Sequence, residues 1–195
     1  CGSVPLVRLA SNNPDQIKRI MDAGAHGIIV PNVTTVEEAN QAIAAMKYAP
    51  KGIRGVGLAR AQHYGAGFKD YFDWQKDESI VIVQIKDKNA LEELESILKV
   101  PGVDGLIIGP YDMSCSMGIP GQFDHPEFKE ALDFILKTSK KLSVPAGIHL
   151  VEPDEALLAS YVEQGYRIII FSVDIRMLDV VARLGVKRFR ELTAQ

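Results

Sequence analysis

Three charged side chains stand at or near the ends of short apolar runs in this sequence. Arg8 lies inside PLVRLAS, Lys86 ends IVIVQIK, and Asp112 follows GLIIGPY. A guanidinium group suits bidentate contact with a carboxylate, and a carboxylate can hold a hard divalent cation. A lysine with a lowered pKa can serve as a Schiff-base nucleophile. These residue types predict a site for a small anionic ligand.

Each of these residues also has a plainer interpretation. Arg8 could form a structural salt bridge, although a charge among apolar neighbours favours an anion-binding role. Asp112 could cap a helix, and Lys86 is better explained by an ion pair with Asp112 than by nucleophilic chemistry, since adjacent strands lie about 5 Å apart. His63 and His149 have no partners at metal-ligand spacing, so we interpret both as satisfied or surface histidines.

Six short runs rich in Val, Ile and Leu predict the strands that would carry these residues. The runs are continuous rather than alternating, which is typical of a parallel sheet buried on both faces. Sites in parallel barrels lie at the carboxyl ends of the strands, where the charged residues occur. The predicted strands are 5–9, 27–31, 80–85, 105–109, 145–150 and 167–172.

Amphipathic stretches of helical length lie between most of the strands. Asn13 and Asp154 are predicted N-caps, and a glycine follows several stretches where a left-handed residue ends a helix. Helices are predicted over 14–23, 36–46, 68–76, 90–98, 126–140 and 155–164.

This alternation of strand and helix indicates an α/β fold. Neither GxGxxG nor GxxxxGK[ST] occurs, which disfavours the nucleotide-binding open sheets. An eight-stranded barrel usually needs about 250 residues. We therefore predict a parallel (β/α)8 TIM barrel lacking its first two strands, as a single domain over residues 1–195.

Composition excludes several classes of partner. The formal charge of -3 arises from 22 basic and 25 acidic residues that are interspersed, so no basic stripe for nucleic acid is present. The longest apolar runs are far shorter than the roughly 20 residues that cross a bilayer. Cys1 and Cys115 belong to no zinc or redox motif, which predicts a reduced, cytoplasmic setting. The Gly- and Arg-rich loop in 49–78 is predicted to serve function or assembly.

Four blocks of sequence resemble consecutive blocks of the HpcH/HpaI aldolases. They are VRLASNNPDQIKRIMDAGAHGIIVPNV, GIRGVGLARAQ, GVDGLIIGPYDMS and GIPGQFDHP, in that order along nearly the whole chain. The resemblance implies a (β/α)8 barrel whose last helix packs on a neighbouring subunit, in homo-oligomers that are commonly trimers or hexamers. It also implies enzymes that make and break carbon–carbon bonds to pyruvate with a divalent metal (Mg, Mn or Co).

The resemblance assigns roles to individual residues. Arg8 matches the arginine that contacts the pyruvate oxygen and stabilises the enolate, an electrostatic role. Gly109, Pro110 and Tyr111 match the stretch whose main chain receives the pyruvate carboxylate. Asp112 matches one of two carboxylates that bind the metal.

Two departures from the family pattern divide the functional hypotheses. The family has a glutamate where this chain has Lys86, and its catalytic histidine lies in a segment that precedes residue 1. The first hypothesis is a pyruvate-type aldolase that acts on a 4-hydroxy-2-oxo acid, with a small keto acid and an aldehyde as partners. The second is a degenerate relative that binds a keto acid or serves in assembly, with a Lys86–Asp112 ion pair replacing the metal.

Overall fold

The computed structural model describes residues 2–194, so Cys1 lies outside the described range. It contains one sheet of six parallel strands that neighbour one another in chain order and curve into a half-barrel. The six predicted strands are confirmed, several of them one residue shorter at one or both ends. The strands are β1 (Leu6–Arg8), β2 (Gly27–Val30), β3 (Ile80–Ile85), β4 (Gly105–Ile108), β5 (Ala146–Leu150) and β6 (Ile168–Phe171).

Helices connect the strands, and the six predicted helices are confirmed. The structure adds a short helix directly after β4, a long helix after β6, and a 3-10 segment at Arg60–Gly65. The helices are α1 (Pro14–Asp22), α2 (Val36–Met46), α3 (Phe68–Asp77), α4 (Ala90–Leu98), α5 (Pro110–Ser116), α6 (Pro126–Leu142), α7 (Glu155–Gln164) and α8 (Asp174–Thr193).

Helix ends follow the local sequence chemistry. The Asn13 side chain accepts a hydrogen bond from the Gln16 amide at 2.9 Å, and Asp154 accepts two from the first turn of α7. Such side chains satisfy amide groups that have no partner inside the helix. Gly165 ends α7 at φ 110°, a conformation that costs glycine little. The predicted caps are confirmed.

Both faces of the sheet are apolar. The outward face packs on the helices around residues such as Ile28, Val83 and Leu106, which are fully buried. The inward face carries a smaller cluster centred on Ile82 and Ile107. The continuous apolar runs thus correctly predicted a sheet that is covered on both faces.

The segment after α2 is fixed by a group of buried or partly buried polar side chains, here called the anchor cluster: Asp22, Lys47, Arg54, Tyr71 and Ser79. Arg54 has a fully buried side chain that pairs with Asp22 and donates to the Tyr71 hydroxyl at 3.0 Å. Burial alone would raise the pKa of Asp22, but hydrogen bonds from Arg54 and Lys18 outweigh it and lower that pKa. The cluster ties the Gly- and Arg-rich loop to α1 and α3.

No helix within residues 2–194 combines the length and the apolar character that spanning a membrane requires.

Candidate active site at the carboxyl ends of the strands

A cavity of about 300 Å³ opens at the carboxyl ends of the strands. It brings together all the site residues that the sequence predicted. Its walls are formed by Arg8, Gln84, Lys86, Gly109, Pro110, Tyr111, Asp112, His149, Val151, Ile170 and Val173.

Parallel register explains why distant residues meet here. Arg8 ends β1, Lys86 follows the last residue of β3, and Gly109 follows the last residue of β4. Because the strands run in the same direction, their carboxyl ends lie at one edge of the sheet. Residues two apart share a face of a strand, so Lys86 continues the inward row that includes Ile82.

Lys86 and Asp112 form an ion pair across this edge. The Lys86 Nζ atom lies 3.2 Å from Asp112 Oδ2, and the two side chains are 24% and 53% exposed. Asp112 lies in the first turn of α5, which begins at Pro110. The interpretation of Lys86 as a partner of Asp112 is thus confirmed.

Gly109 leaves the space that this pair occupies. A Cβ atom at this position would lie 3.0 Å from Asp112 Oδ2 and 3.3 Å from the Lys86 Cγ atom. Any larger residue would therefore press on both partners of the pair.

Only two of the four main-chain positions in 109–112 have an N–H group that is free to bind a ligand. The Gly109 amide already donates to the Ile85 carbonyl at 3.0 Å, and Pro110 has no N–H group. Amides in the first turn of a helix have no partner within that helix. The donors that remain in this stretch are the amides of Tyr111 and Asp112.

Arg8 is exposed at the rim of the cavity. Its Nη1 atom donates to the Leu9 carbonyl at 2.9 Å, and it forms no salt bridge with any residue in 2–194. A guanidinium carries five N–H donors, so most of them remain free. Arg8 therefore does not form the structural salt bridge that was its alternative interpretation, at least not with any residue in 2–194.

Two further polar side chains line the cavity, and the prediction from sequence assigned neither of them to the site. Gln84 Oε1 and His149 Nε2 are both buried and have no hydrogen-bond partner within residues 2–194. The interpretation of His149 as satisfied or surface-lying was wrong, because β5 directs it into the cavity. The spacing of two between Gln84 and Lys86 was a signal that could have identified the glutamine.

The pKa of His149 lies below its usual value. Burial is the main cause, and the nearby charge of Lys86 adds to it, whereas contacts with the Ser172 main chain and with Asp112 act in the opposite direction. Neutral imidazole is thereby favoured. His63, in contrast, lies in a separate cavity beside His26 and Trp74.

The donor set at Lys86 and Asp112 does not fit a divalent metal ion. An ammonium group has no lone pair to donate, and its charge repels a cation at ligand distance. No group of three or more His, Cys, Asp or Glu side chains in residues 2–194 is placed to hold a metal. Asp112 is thus the partner of a cation that the chain itself supplies.

Known protein sequences of one family match most of this chain. A sequence model of the family described as HpcH/HpaI aldolase/citrate lyase matches residues 1–179. The chain is 42% identical over 178 residues to a hydroxypyruvate/pyruvate aldolase of Sagittula stellata, an alignment that covers 91% of this chain and 69% of that protein. It is 38% identical over 193 residues to a 4-hydroxy-2-oxo-heptane-1,7-dioate aldolase of Salmonella newport, covering 95% and 72%.

Solved structures of the same family have a similar fold. An HpcH/HpaI aldolase/citrate lyase family protein from Burkholderia cenocepacia superposes with a TM-score of 0.89 at 33% identity, covering 95% of this chain and 73% of that one. The HpcH/HpaI aldolase from Desulfitobacterium hafniense gives 0.88 at 30% identity, covering 97% and 73%. The chain therefore belongs to the HpcH/HpaI aldolase/citrate lyase family, a family of aldehyde-lyases.

Proposed function

We propose that this protein is a pyruvate-type aldolase that cleaves or forms a 4-hydroxy-2-oxo acid, with a small keto acid and an aldehyde as its partners. The observation that carries the proposal is the single cavity that holds Arg8, Lys86, Asp112 and the first turn of α5. The relatives named above are aldolases for hydroxypyruvate, pyruvate and 4-hydroxy-2-oxo-heptane-1,7-dioate, and their names support the same substrate class.

The cavity offers separate groups for each part of a 2-oxo acid. The carboxylate would bind at Gly109, Pro110 and Tyr111, where the Tyr111 amide is the available donor. The free N–H groups of Arg8 would contact the carbonyl oxygen at C2. Both contacts pair an anionic or polar oxygen with a donor that has no competing partner, which favours binding.

Cleavage would then shift charge onto that oxygen. A base takes the C4 hydroxyl proton, the O–H electron pair forms the C4 carbonyl bond of the aldehyde, and the C3–C4 bond breaks. The electron pair of the broken bond forms the C2–C3 double bond, and the π electron pair of the C2 carbonyl moves onto its oxygen to give the enolate. Protonation at C3 yields pyruvate. Arg8 would act as an electrostatic catalyst, because its positive charge interacts more strongly with the enolate oxygen than with the neutral carbonyl. We assign the proton acceptor to no residue of this chain.

The test is pyruvate release from 4-hydroxy-2-oxo acids, followed with a coupled lactate dehydrogenase assay. We expect Arg8→Ala to lower kcat by about 10²–10³-fold, the usual cost of removing one oxyanion donor. Arg19→Ala, which removes an exposed arginine from α1, is the matched control and should retain full activity. No pyruvate from any such acid, with or without Mg²⁺, Mn²⁺ or Co²⁺, would remove the proposal.

A second candidate function is favoured by one observation, the ion pair between Lys86 and Asp112 at 3.2 Å. A relative in which this pair replaces the metal could bind a keto acid, or serve in assembly, without turning substrate over. Binding of pyruvate with no pyruvate release from any hydroxy-oxo acid would support this candidate over the aldolase.

We further propose that the fold is an eight-stranded barrel, with residues 1–195 forming one domain that contributes six strands. The support lies at the edges of the sheet. Leu6 on β1 is 37% exposed, and β6 is only partly buried along its length. Apolar edges of this kind are normally paired or covered.

Assembly into a homo-oligomer, a trimer or a hexamer, is proposed from α8. Apolar side chains recur three or four residues apart along this helix and are mostly exposed, including Ile175 at 73%, Leu178 at 71% and Val181 at 69%. A stripe of this kind is typical of a helix that packs on another surface. Light scattering of the protein in solution gives the mass that tests this.

A further inference from the structure

We propose that the Lys86 ammonium, held by Asp112, replaces the divalent cation and binds the 2-oxo acid directly, so that ligand binding at this site requires no metal. The identity of the ligand as a 2-oxo acid rests on the proposed function. The role of Lys86 rests on the geometry of the cavity.

The ammonium group has donors to spare. It carries three N–H bonds, and Asp112 is its one ion-pair partner within residues 2–194. The side chain is 24% exposed and forms part of the cavity wall. A carbonyl or carboxylate oxygen in the cavity could therefore accept a hydrogen bond from Lys86 while the ion pair stays intact.

The charges around the cavity suit a monoanion. Arg8 and Lys86 contribute two positive charges and Asp112 one negative charge, which leaves a net charge of one positive unit. One positive unit favours a monoanionic ligand, which is the charge of a simple 2-oxo acid such as pyruvate.

The space around the pair is also adapted to it. The absence of a side chain at Gly109 leaves room for Asp112 Oδ2 and the Lys86 stem, at 3.0 Å and 3.3 Å from where a Cβ would stand. The remaining cavity of about 300 Å³ exceeds the volume of a small keto acid. The ion pair therefore occupies the edge of the cavity and does not fill it.

Covalent chemistry by Lys86 is disfavoured by the same contact. A Schiff-base nucleophile acts as the neutral amine, whereas the Asp112 carboxylate interacts with the charged ammonium. Lys86 is therefore assigned a binding and electrostatic role.

The experiment measures pyruvate binding by isothermal titration calorimetry, on protein dialysed against EDTA and checked for metal content by mass spectrometry. We expect the chain to bind pyruvate equally well with and without added Mn²⁺. Lys86→Met should weaken binding by about 10- to 100-fold, the usual effect of losing a charged hydrogen bond. Lys99→Met removes a lysine from an exposed ion pair with Glu95 and should change nothing.

Two further variants keep the test decisive if Lys86→Met does not fold. Lys86→Arg retains the positive charge and should retain metal-free binding. Lys86→Glu should lose metal-free binding and should bind pyruvate only when Mn²⁺ is added, because a second carboxylate then stands beside Asp112.

Three results would overturn the inference: binding that appears only with Mn²⁺, no pyruvate binding under either condition, or a pyruvate adduct on Lys86 trapped by borohydride and seen by mass measurement. The outcomes also separate this inference from the proposed function. Pyruvate binding and pyruvate release that both depend on metal would keep the aldolase and remove the inference. Metal-free binding without pyruvate release would do the reverse.

Discussion

Lys47 in the anchor cluster and Lys86 at the cavity are both lysines held away from bulk water, yet their surroundings differ. Lys47 is 6% exposed, and its Nζ atom donates to the carbonyls of Gln75, Lys76 and Ser79 and to the Ser79 hydroxyl at 2.7–3.3 Å. Lys86 has one carboxylate partner and faces an open cavity.

Unused hydrogen-bond donors distinguish a ligand-binding lysine from a structural one. All the donors of Lys47 are used by acceptors at the carboxyl end of α3, where a positive charge is favourable, so nothing remains for a ligand. Lys86 keeps unused donors beside a second cation, Arg8. An ionic group with unused hydrogen-bonding capacity in a cavity is the better candidate for binding.

Arg54→Met tests the anchor cluster most severely. It leaves Asp22 and the Tyr71 hydroxyl without their buried partner, and we expect the free energy of unfolding to fall by about 3–5 kcal/mol. Lys18→Met is the matched control, because Lys18 pairs with the same carboxylate but is 36% exposed, and it should cost about 0–1 kcal/mol. Urea denaturation measures both. Equal losses would contradict the structural role of Arg54.

Lys47→Met should have an intermediate effect. The change removes the charged donor from buried acceptors at the end of α3, which costs about 1–3 kcal/mol. Lys51→Met is its control, since Lys51 reaches the same helix end, pairing with Asp77, but is 55% exposed. The same denaturation experiment applies, and a loss no larger than that of the control would show that the Lys47 contacts contribute little.

Lys86→Met should change stability least, by about 0–1 kcal/mol, because its partner Asp112 is half exposed and can regain water. Together with the effect of Lys47→Met, this result would show that one lysine matters for folding and the other for binding. A loss as large as that of Arg54→Met would identify the Lys86–Asp112 pair as a structural element and contradict the distinction between the two lysines.

Prediction from sequence succeeded where the signal was local. The runs that became β3 and β4, the caps Asn13 and Asp154 and the glycine that ends α7 depend on neighbours within a few residues. It failed for α5 and α8. The first has only seven residues and begins directly after the predicted strand 105–109, and the second exposes apolar side chains that have no partner within residues 2–194.

The site shows the same division. The residue types and the alternation of strand and helix were enough to predict that Arg8, Lys86 and Asp112 would lie at one edge of a parallel sheet. The packing of the folded chain was needed to show that the Lys86 ammonium lies 3.2 Å from Asp112 and that Gln84 and His149 share their cavity. The reason is physical: local preferences fix which face and end of a strand a residue occupies, whereas distances between side chains depend on how separate strands pack together.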